Sequence, residues 1–305
     1  MPSVSASAFG DWLRNGPTGD LWGYFLFSHG WAWLWWSVNI VAGFDAFGFP
    51  GVVFTVLGGA GPPLGGIVMS RVTYGRTGVR DLRNRLTDVR RIPPRWLAVV
   101  VLFEPAITVV SGVVATILDP GTRHLSVEEL TGLAADPLGL LAYAGFVLIL
   151  GPLPEEIGWR GYLLDRFQVR WSALTSGGAV GVAWAAWHAP LFVMAGYYAN
   201  LDFTPNPAEF GFLIIVGSVV YTWVFDNTSR SVLAAVLYHF VGNFTGQVVE
   251  RSPLADDVWT AVFVVATVVV VLWWGPTNLR REGARPRPPV GSPDRRPPTE
   301  EKPTD

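Results

Sequence analysis

The chain of 305 residues is half hydrophobic and only 15% charged, carries 15 Trp and a formal charge of -2, and contains no Cys. That balance belongs to a polytopic membrane protein rather than a soluble domain. Without Cys there is no disulfide framework, thiol catalysis or Cys-ligated zinc or iron–sulfur centre, so any metal would have to be held by His and carboxylates.

The first twenty residues hold Asp11, Arg14 and Asp20 and lack the basic start and short apolar core of a cleaved signal peptide. Leu21 to Gly43 is an apolar, Trp-rich stretch long enough to cross a hydrocarbon layer of roughly 30 Å. A second span is expected from Ala46 to Ser70, bent or broken by the Gly–Pro-rich segment Gly58 to Gly66. Residues 1–70 thus form an N-terminal segment with two spans.

Between Arg71 and Arg95 stand eight Arg residues, which the positive-inside tendency assigns to the cytoplasm. Val79, Leu82, Leu86 and Val89 fall at helical spacing, so part of 71–95 is expected as an amphipathic helix on the inner leaflet, touching anionic lipid. Nucleic acid is not an expected partner, because only Tyr74 and Trp96 lie near these arginines as stacking residues.

Residues 96–274 read as a six-span core. Trp96 to Leu118 is the third span, and the segment up to Asp136 carries four acidic residues against Arg123 alone, as an outer loop does. Further spans are expected from Leu138 through the pair Glu155 and Glu156, from Ser172 to Ala195, from Phe210 to Phe225, from Ser231 to Val249 and from Val258 to Trp274. A polar stretch with Asp202 and Glu209, and another from Glu250 to Asp257, provide outer connections. The expected architecture is an all-α polytopic membrane protein with about eight transmembrane helices, both termini in the cytoplasm. The tail, 275–305, has six Arg and almost no apolar residues and is expected to be disordered.

Ionisable groups at membrane depth are costly and mark function. In GPLPEEIGWRGYLLDRF, Glu156 and Arg160 are four apart on one helix face, whereas Glu155 points about 100° away and is left available. His188 lies in WAAWHAPLF, one turn after Trp184. His239 and Asn243 lie four apart in LYHFVGNF and share a face. A lone intramembrane His is more often a packing residue than a ligand, and His29 keeps that reading, while His124 is a loop residue. Two Glu, one Arg, two His and one Asn in three inner spans exceed what packing requires. By helical rise His239 sits roughly 12 Å deep, within reach of cytosolic water, whereas His188 comes out deeper unless its helix starts later or breaks at Pro190.

These residues resemble the CPBP intramembrane proteases, which include type II CaaX prenyl endopeptidases and bacteriocin-processing or immunity (Abi-like) proteins. PEEIGWRGYLLDRF is similar to the family's Glu-Glu-x-x-x-Arg signature, Trp184 with His188 to its aromatic-x-x-x-His motif, and His239 with Asn243 to its His-x-x-x-Asn motif. The resemblance spans roughly residues 71 to 249. Trp184 stands where Phe is more usual, a departure read as affecting packing more than chemistry. The resemblance implies a conical helical bundle with a polar intramembrane cavity open to the cytosol and inner leaflet.

Hydrolysis inside a membrane needs a water, a base and donors for the developing oxyanion. Glu155 is the candidate base, since a desolvated carboxylate takes a proton more readily than a solvated one. His188 is the candidate to position the water, His239 and Asn243 the oxyanion donors, and the Glu156–Arg160 pair the brace. Glu155, His188 and His239 would be the ligands of a zinc ion, if one is used. No His-Glu-x-x-His run and no Gly-x-Ser-x-Gly run occurs, and a route with no tightly bound metal is favoured. The expected function is an intramembrane endopeptidase acting by Glu-activated water on a CaaX-like, prenylated or leader peptide entering from the cytosol or inner leaflet. The alternatives are a non-catalytic binding or immunity member and a proton-coupled transporter. The transporter would show paired repeats, which the chain lacks. A single Lys among many Arg suggests a GC-rich bacterial genome, hence a bacterial inner membrane and a lower prospect of prenylated natural substrates.

Overall fold

A computed structural model describes residues 12–13, 18–199, 205–285 and 288. The expectations for Asp11, Arg14 and Asp202, and for most of the tail, lie outside the described residues. Helix α1 (Gly19–Phe25) passes through a π-helical turn, Leu26–Gly30, into α2 (Trp31–Ala42), which stops at Gly43 with a left-handed φ of 66°. Helices α3 (Gly51–Gly59) and α4 (Gly61–Thr87) meet at a break on Ala60, inside the segment whose glycines and prolines predict one.

Helix α4 does not end at the membrane edge. It runs through the first part of the Arg-rich stretch with a kink at Gly75 (φ 66°, ψ -149°), a conformation that needs Gly. Its Leu82 and Arg85 are buried, so this stretch is partly built into the bundle rather than laid wholly on the lipid.

Next come α5 (Pro94–Leu118), the short α6 (Glu128–Ala134), α7 (Pro137–Leu150) and α8 (Pro152–Gly158). A π-helical turn, Trp159–Leu163, joins α8 to α9 (Leu164–Gln168). Helix α10 (Ala173–His188) starts at a cap in which Ser172 Oγ accepts from the Thr175 N–H at 3.1 Å, and ends in a 3₁₀ turn, Ala189–Phe192. Helices α11 (Pro207–Asn227), α12 (Val232–Val248) and α13 (Pro253–Trp274) complete the bundle. The described sheet is one two-residue antiparallel pair, β1 (Leu125–Ser126) with β2 (Glu250–Arg251), tying two connections together.

The chain is therefore an all-α polytopic membrane protein. Among the described residues five helical stretches are long and apolar enough to cross a membrane: Gly51–Thr87, Pro94–Leu118, Pro137–Gln168, Pro207–Asn227 and Pro253–Trp274. The other three expected spans coincide with α1–α2, interrupted by its π turn, and with the shorter α10 and α12. Large apolar side chains such as Val109, Ile117, Leu141, Ile149, Val269 and Leu272 face outward, the surface a lipid solvent favours.

Close backbone approach sets the position of the polar centre. A Cβ on Gly158 would lie 2.5 Å from Pro62 O, and one on Gly66 would lie 2.4 Å from Ile157 O, so only glycines let α4 and α8 cross where the Glu pair sits. A Cβ on Gly181 would lie 2.6 Å from Ile215 Cα, which draws α10 onto α11 in the same way. At the other end of α9 a buried ionic cluster locks the elements. Arg85 bonds Asp81 at 2.8 Å and Asp165 at 3.3 Å, Arg230 also holds Asp165, and Arg166 holds Asp20 at 2.5 Å.

The start of the tail is ordered, which narrows the expectation of disorder from residue 275. Thr277 O and Pro276 O accept from the Ala173 and Leu174 N–H groups (2.8 and 3.0 Å), and Leu279 is fully buried. Those carbonyls satisfy orphan donors of the α10 N-terminus, and Leu279 supplies the one large aliphatic side chain near the start of this segment.

Candidate active site

Glu155 and Glu156 lie on α8, which begins after a sharp bend at Gly151 (φ -127°, ψ -85°). The bend divides the expected fourth span into α7 and α8, and both carboxylates are buried. As the helical spacing requires, they take different partners.

Glu156 is fully buried and held on two sides. Arg160 Nη1 donates to its two oxygens at 3.0 and 3.1 Å, and His239 Nδ1 lies 3.0 Å from Oε1. Arg160 is in the π turn, donates through Nη2 to Ser218 Oγ at 2.9 Å, and places its guanidinium carbon 4.2 Å from the Tyr221 ring centre. A buried ion pair persists only with further partners of this kind, although Arg160 Nε finds none among the described residues. The link from Glu156 to His239 crosses from α8 to α12, a tertiary partner that helical spacing cannot show.

Glu155 accepts a 2.6 Å hydrogen bond on Oε2 from Trp184 Nε1. The departure to Trp is thus chemical as well as steric, which corrects the expectation that it affects packing more than chemistry. Trp184 also accepts from His188, whose Nδ1 lies 2.9 Å from Trp184 O. A carbonyl only accepts, so His188 carries its proton on Nδ1 and presents the Nε2 lone pair. The Trp184 ring meets His239 edge-on at 5.1 Å and Arg160 at 5.1 Å, so one residue, through its side chain and its carbonyl, touches four of the six candidate residues.

Asn243 is half-buried, one turn beyond His239. A Cβ on Gly151 would lie 3.6 Å from Asn243 Nδ2 and 3.8 Å from Glu155 Oε1, so the amide donor and the second Glu155 oxygen flank the same point. His188 marks the end of α10, immediately before the turn containing Pro190, and is enclosed by the rings of Trp187 and Phe210 at 4.8 and 5.1 Å. The helix thus ends before Pro190 rather than running on to Ala195, and it starts at Ala173, as expected.

The structure thus brings Glu155, Glu156, Arg160, His188 and His239 together around Trp184, with Asn243 beside Glu155. Sequence reasoning missed Ser218 and Tyr221, for which α11 offers no signal, and Glu104. Glu104 is the sole carboxylate of the apolar run 96–118, which was the available signal. It is buried and accepts from Tyr238 OH at 2.5 Å, next to His239. His29 Nε2 donates to Ala183 O (2.8 Å), and its ring packs against Trp159, as a packing histidine does.

Among the described residues no three His, Asp or Glu side chains gather as a metal-holding group. Each member of the conditional set already has a protein partner: Glu155 the Trp184 indole, His188 the Trp184 carbonyl, His239 the Glu156 carboxylate. Those bonds leave Glu155 Oε1 and the Nε2 atoms of His188 and His239 untaken, and a ring N–H given to a carbonyl or carboxylate is how metal-ligating histidines are oriented, so these three atoms would be the ones to hold a zinc ion, if one is used.

Residues 137–245 match the model of the Rce1-like family, described as type II CAAX prenyl endopeptidase Rce1-like. All six candidate residues fall inside that region. Over 197 residues, 64% of this chain and 71% of its relative, the chain is 24% identical to "CAAX prenyl protease 2" of Methanococcus maripaludis. Both matches, with the helical membrane core, support a relation to the CPBP intramembrane proteases.

Proposed function

We propose that the protein is a glutamate-dependent intramembrane endopeptidase in which Glu155 activates a water for attack on a peptide carbonyl. The observation that carries this reading is the division of labour between the two carboxylates. Glu156 is consumed by Arg160 and His239, while Glu155 has one oxygen fixed by Trp184 and the other beside the Asn243 amide.

In this scheme Glu155 Oε1 takes the proton of a water that His188 Nε2 helps orient, and the oxygen forms the new bond to the carbonyl carbon. The charge that builds on the carbonyl oxygen is met by the Asn243 amide and by His239, whose ring Glu156 holds in place through Nδ1. Glu155 then returns its proton to the leaving amine, and the C–N bond breaks. Arg160, itself steadied by Ser218, holds Glu156, so both act through the brace.

The substrate is a peptide whose scissile bond is carried to membrane depth by an apolar or lipidated anchor and enters from the cytosol or inner leaflet. The name of the archaeal relative favours a prenylated CaaX-type tail over a leader peptide. The positive-inside pattern supports a cell-membrane protein with both termini in the cytoplasm. The test is digestion in ¹⁸O-water of matched prenylated and unprenylated peptides by the purified chain. Direct attack by water puts one ¹⁸O in the new carboxyl group, and faster cleavage of the prenylated partner supports the CaaX assignment. Faster cleavage of an unprenylated leader peptide would overturn that assignment, and failure to cut any peptide would favour a binding or immunity role.

A further inference from the structure

Away from the Glu pair, a cavity of about 390 Å³ opens where three apolar helices end together. Arg95 stands at the start of α5, Asn227 closes α11 and Trp274 closes α13, and the ordered start of the tail adds Arg280, Arg281 and Glu282. The cavity therefore lies at the height of a membrane–water boundary, between lipid tails and water.

Its chemistry has two halves. One wall is aromatic: Trp96 meets Trp223 edge-on at 4.8 Å, and Trp223 meets Trp274 at 5.0 Å. The other presents three guanidinium groups against the single carboxylate of Glu282. Arg280 is anchored by donating to Asp226 O at 2.6 Å, Arg281 lies 4.7 Å over the Trp273 ring, and Arg95 is exposed at the rim. A separate observation concerns Trp223, which is only 4% exposed and whose Nε1 has no hydrogen-bond partner among the described residues. A buried donor without an acceptor in a cavity wall calls for an oxygen that the protein itself does not supply.

We propose that this cavity binds the phosphate of an anionic phospholipid, with the guanidiniums on the phosphate and the three indoles against the glycerol and upper acyl chain. Arginine suits phosphate because its planar fork donates to two oxygens at once. The volume lies in the range of small-ligand sites and exceeds what a bare phosphate would fill. The indole wall favours a ligand with an apolar part, which makes a lipid the occupant rather than free phosphate. Bound lipid would clasp the tail onto α5, α11 and α13.

Native mass spectrometry of the full chain, extracted from nanodiscs of equal phosphatidylglycerol and phosphatidylcholine, tests this directly. The wild type retains phosphatidylglycerol in preference. Arg95→Gln with Arg281→Gln lowers that preference roughly ten- to thirtyfold, since each basic group near a lipid surface contributes about one factor of five. Arg123→Gln with Arg251→Gln, two arginines of the outer connections that are each paired with a carboxylate, leaves it unchanged. Thermal unfolding of each variant in lipid-free detergent establishes that it is folded, and Arg95→Lys in the Arg281 wild-type background keeps most of the preference. Equal retention of the two lipids, or an equal loss in both double variants, would overturn the proposal. Inorganic phosphate at millimolar concentration stabilising the detergent-solubilised chain as much as phosphatidylglycerol does would overturn the lipid assignment in favour of a free anion.

Discussion

Trp184 Nε1 donates to Glu155 Oε2 over 2.6 Å, so the proposed base is fixed by a side chain 29 residues away on another helix. The same indole is in contact with His239 and Arg160, and its backbone carbonyl holds His188. Removing the N–H while keeping a ring isolates the hydrogen bond from the packing. Trp184→Phe should lower kcat by about three- to tenfold with KM little changed, the size expected for losing one hydrogen bond that orients a charged group. An unchanged kcat on a folded variant would show that Glu155 is held by its surroundings without the indole.

The brace behaves differently from the base. Glu156→Ala leaves Arg160 buried without its carboxylate, and breaking a buried pair from one side costs about 3–5 kcal/mol. Thermal unfolding in detergent should register that loss. Replacing both partners with apolar side chains, Glu156→Leu with Arg160→Met, should recover a large part of the stability and none of the activity. If the single and double variants unfold alike, the cost does not come from leaving Arg160 without its carboxylate.

Asn243 sits beside Glu155, is half-buried and contributes little to the core. Asn243→Ala should therefore keep the fold and reduce kcat about 10²- to 10³-fold, the range found when one oxyanion donor is lost. Steady-state kinetics checks this, and a rise in KM with kcat preserved would assign Asn243 to substrate binding instead.

Because the proposed route has Glu155 take the proton from water directly, a chelator strong enough to strip zinc should leave peptide cleavage within about twofold of the untreated rate, the variation of an unaffected enzyme in terms of activation free energy being well under 1 kcal/mol. Loss of activity on chelation that zinc restores would contradict the proposed route and call for a metal-binding form of the site.

The fold was legible wherever a local pattern carries it. Hydropathy placed α5, α11 and α13 to within a few residues, and the glycines and prolines of 58–66 announced the break at Ala60. Helical spacing also foresaw Glu156 with Arg160 and the separate direction of Glu155. What stayed hidden depends on partners distant in sequence: the indole on Glu155, Glu156 with His239, and Glu104 with Tyr238, 134 positions apart. Arg85 was read as part of a surface run, since nothing in the sequence foretells that Asp81 and Asp165 draw it inside. Periodicity reports which face a residue occupies, and only packing decides what that face meets.

The central claim is that Glu155 is the base, and cleavage of a broad peptide library containing prenylated members, by wild type and Glu155→Gln side by side, tests it most directly. The substitution keeps the shape of the side chain and its place beside Trp184 while removing its ability to take a proton. The wild type should cut a subset of peptides at defined bonds, with the variant slower by at least about 10²-fold, the usual contribution of a general base. Equal cleavage by both proteins, each shown to be folded, would contradict the account.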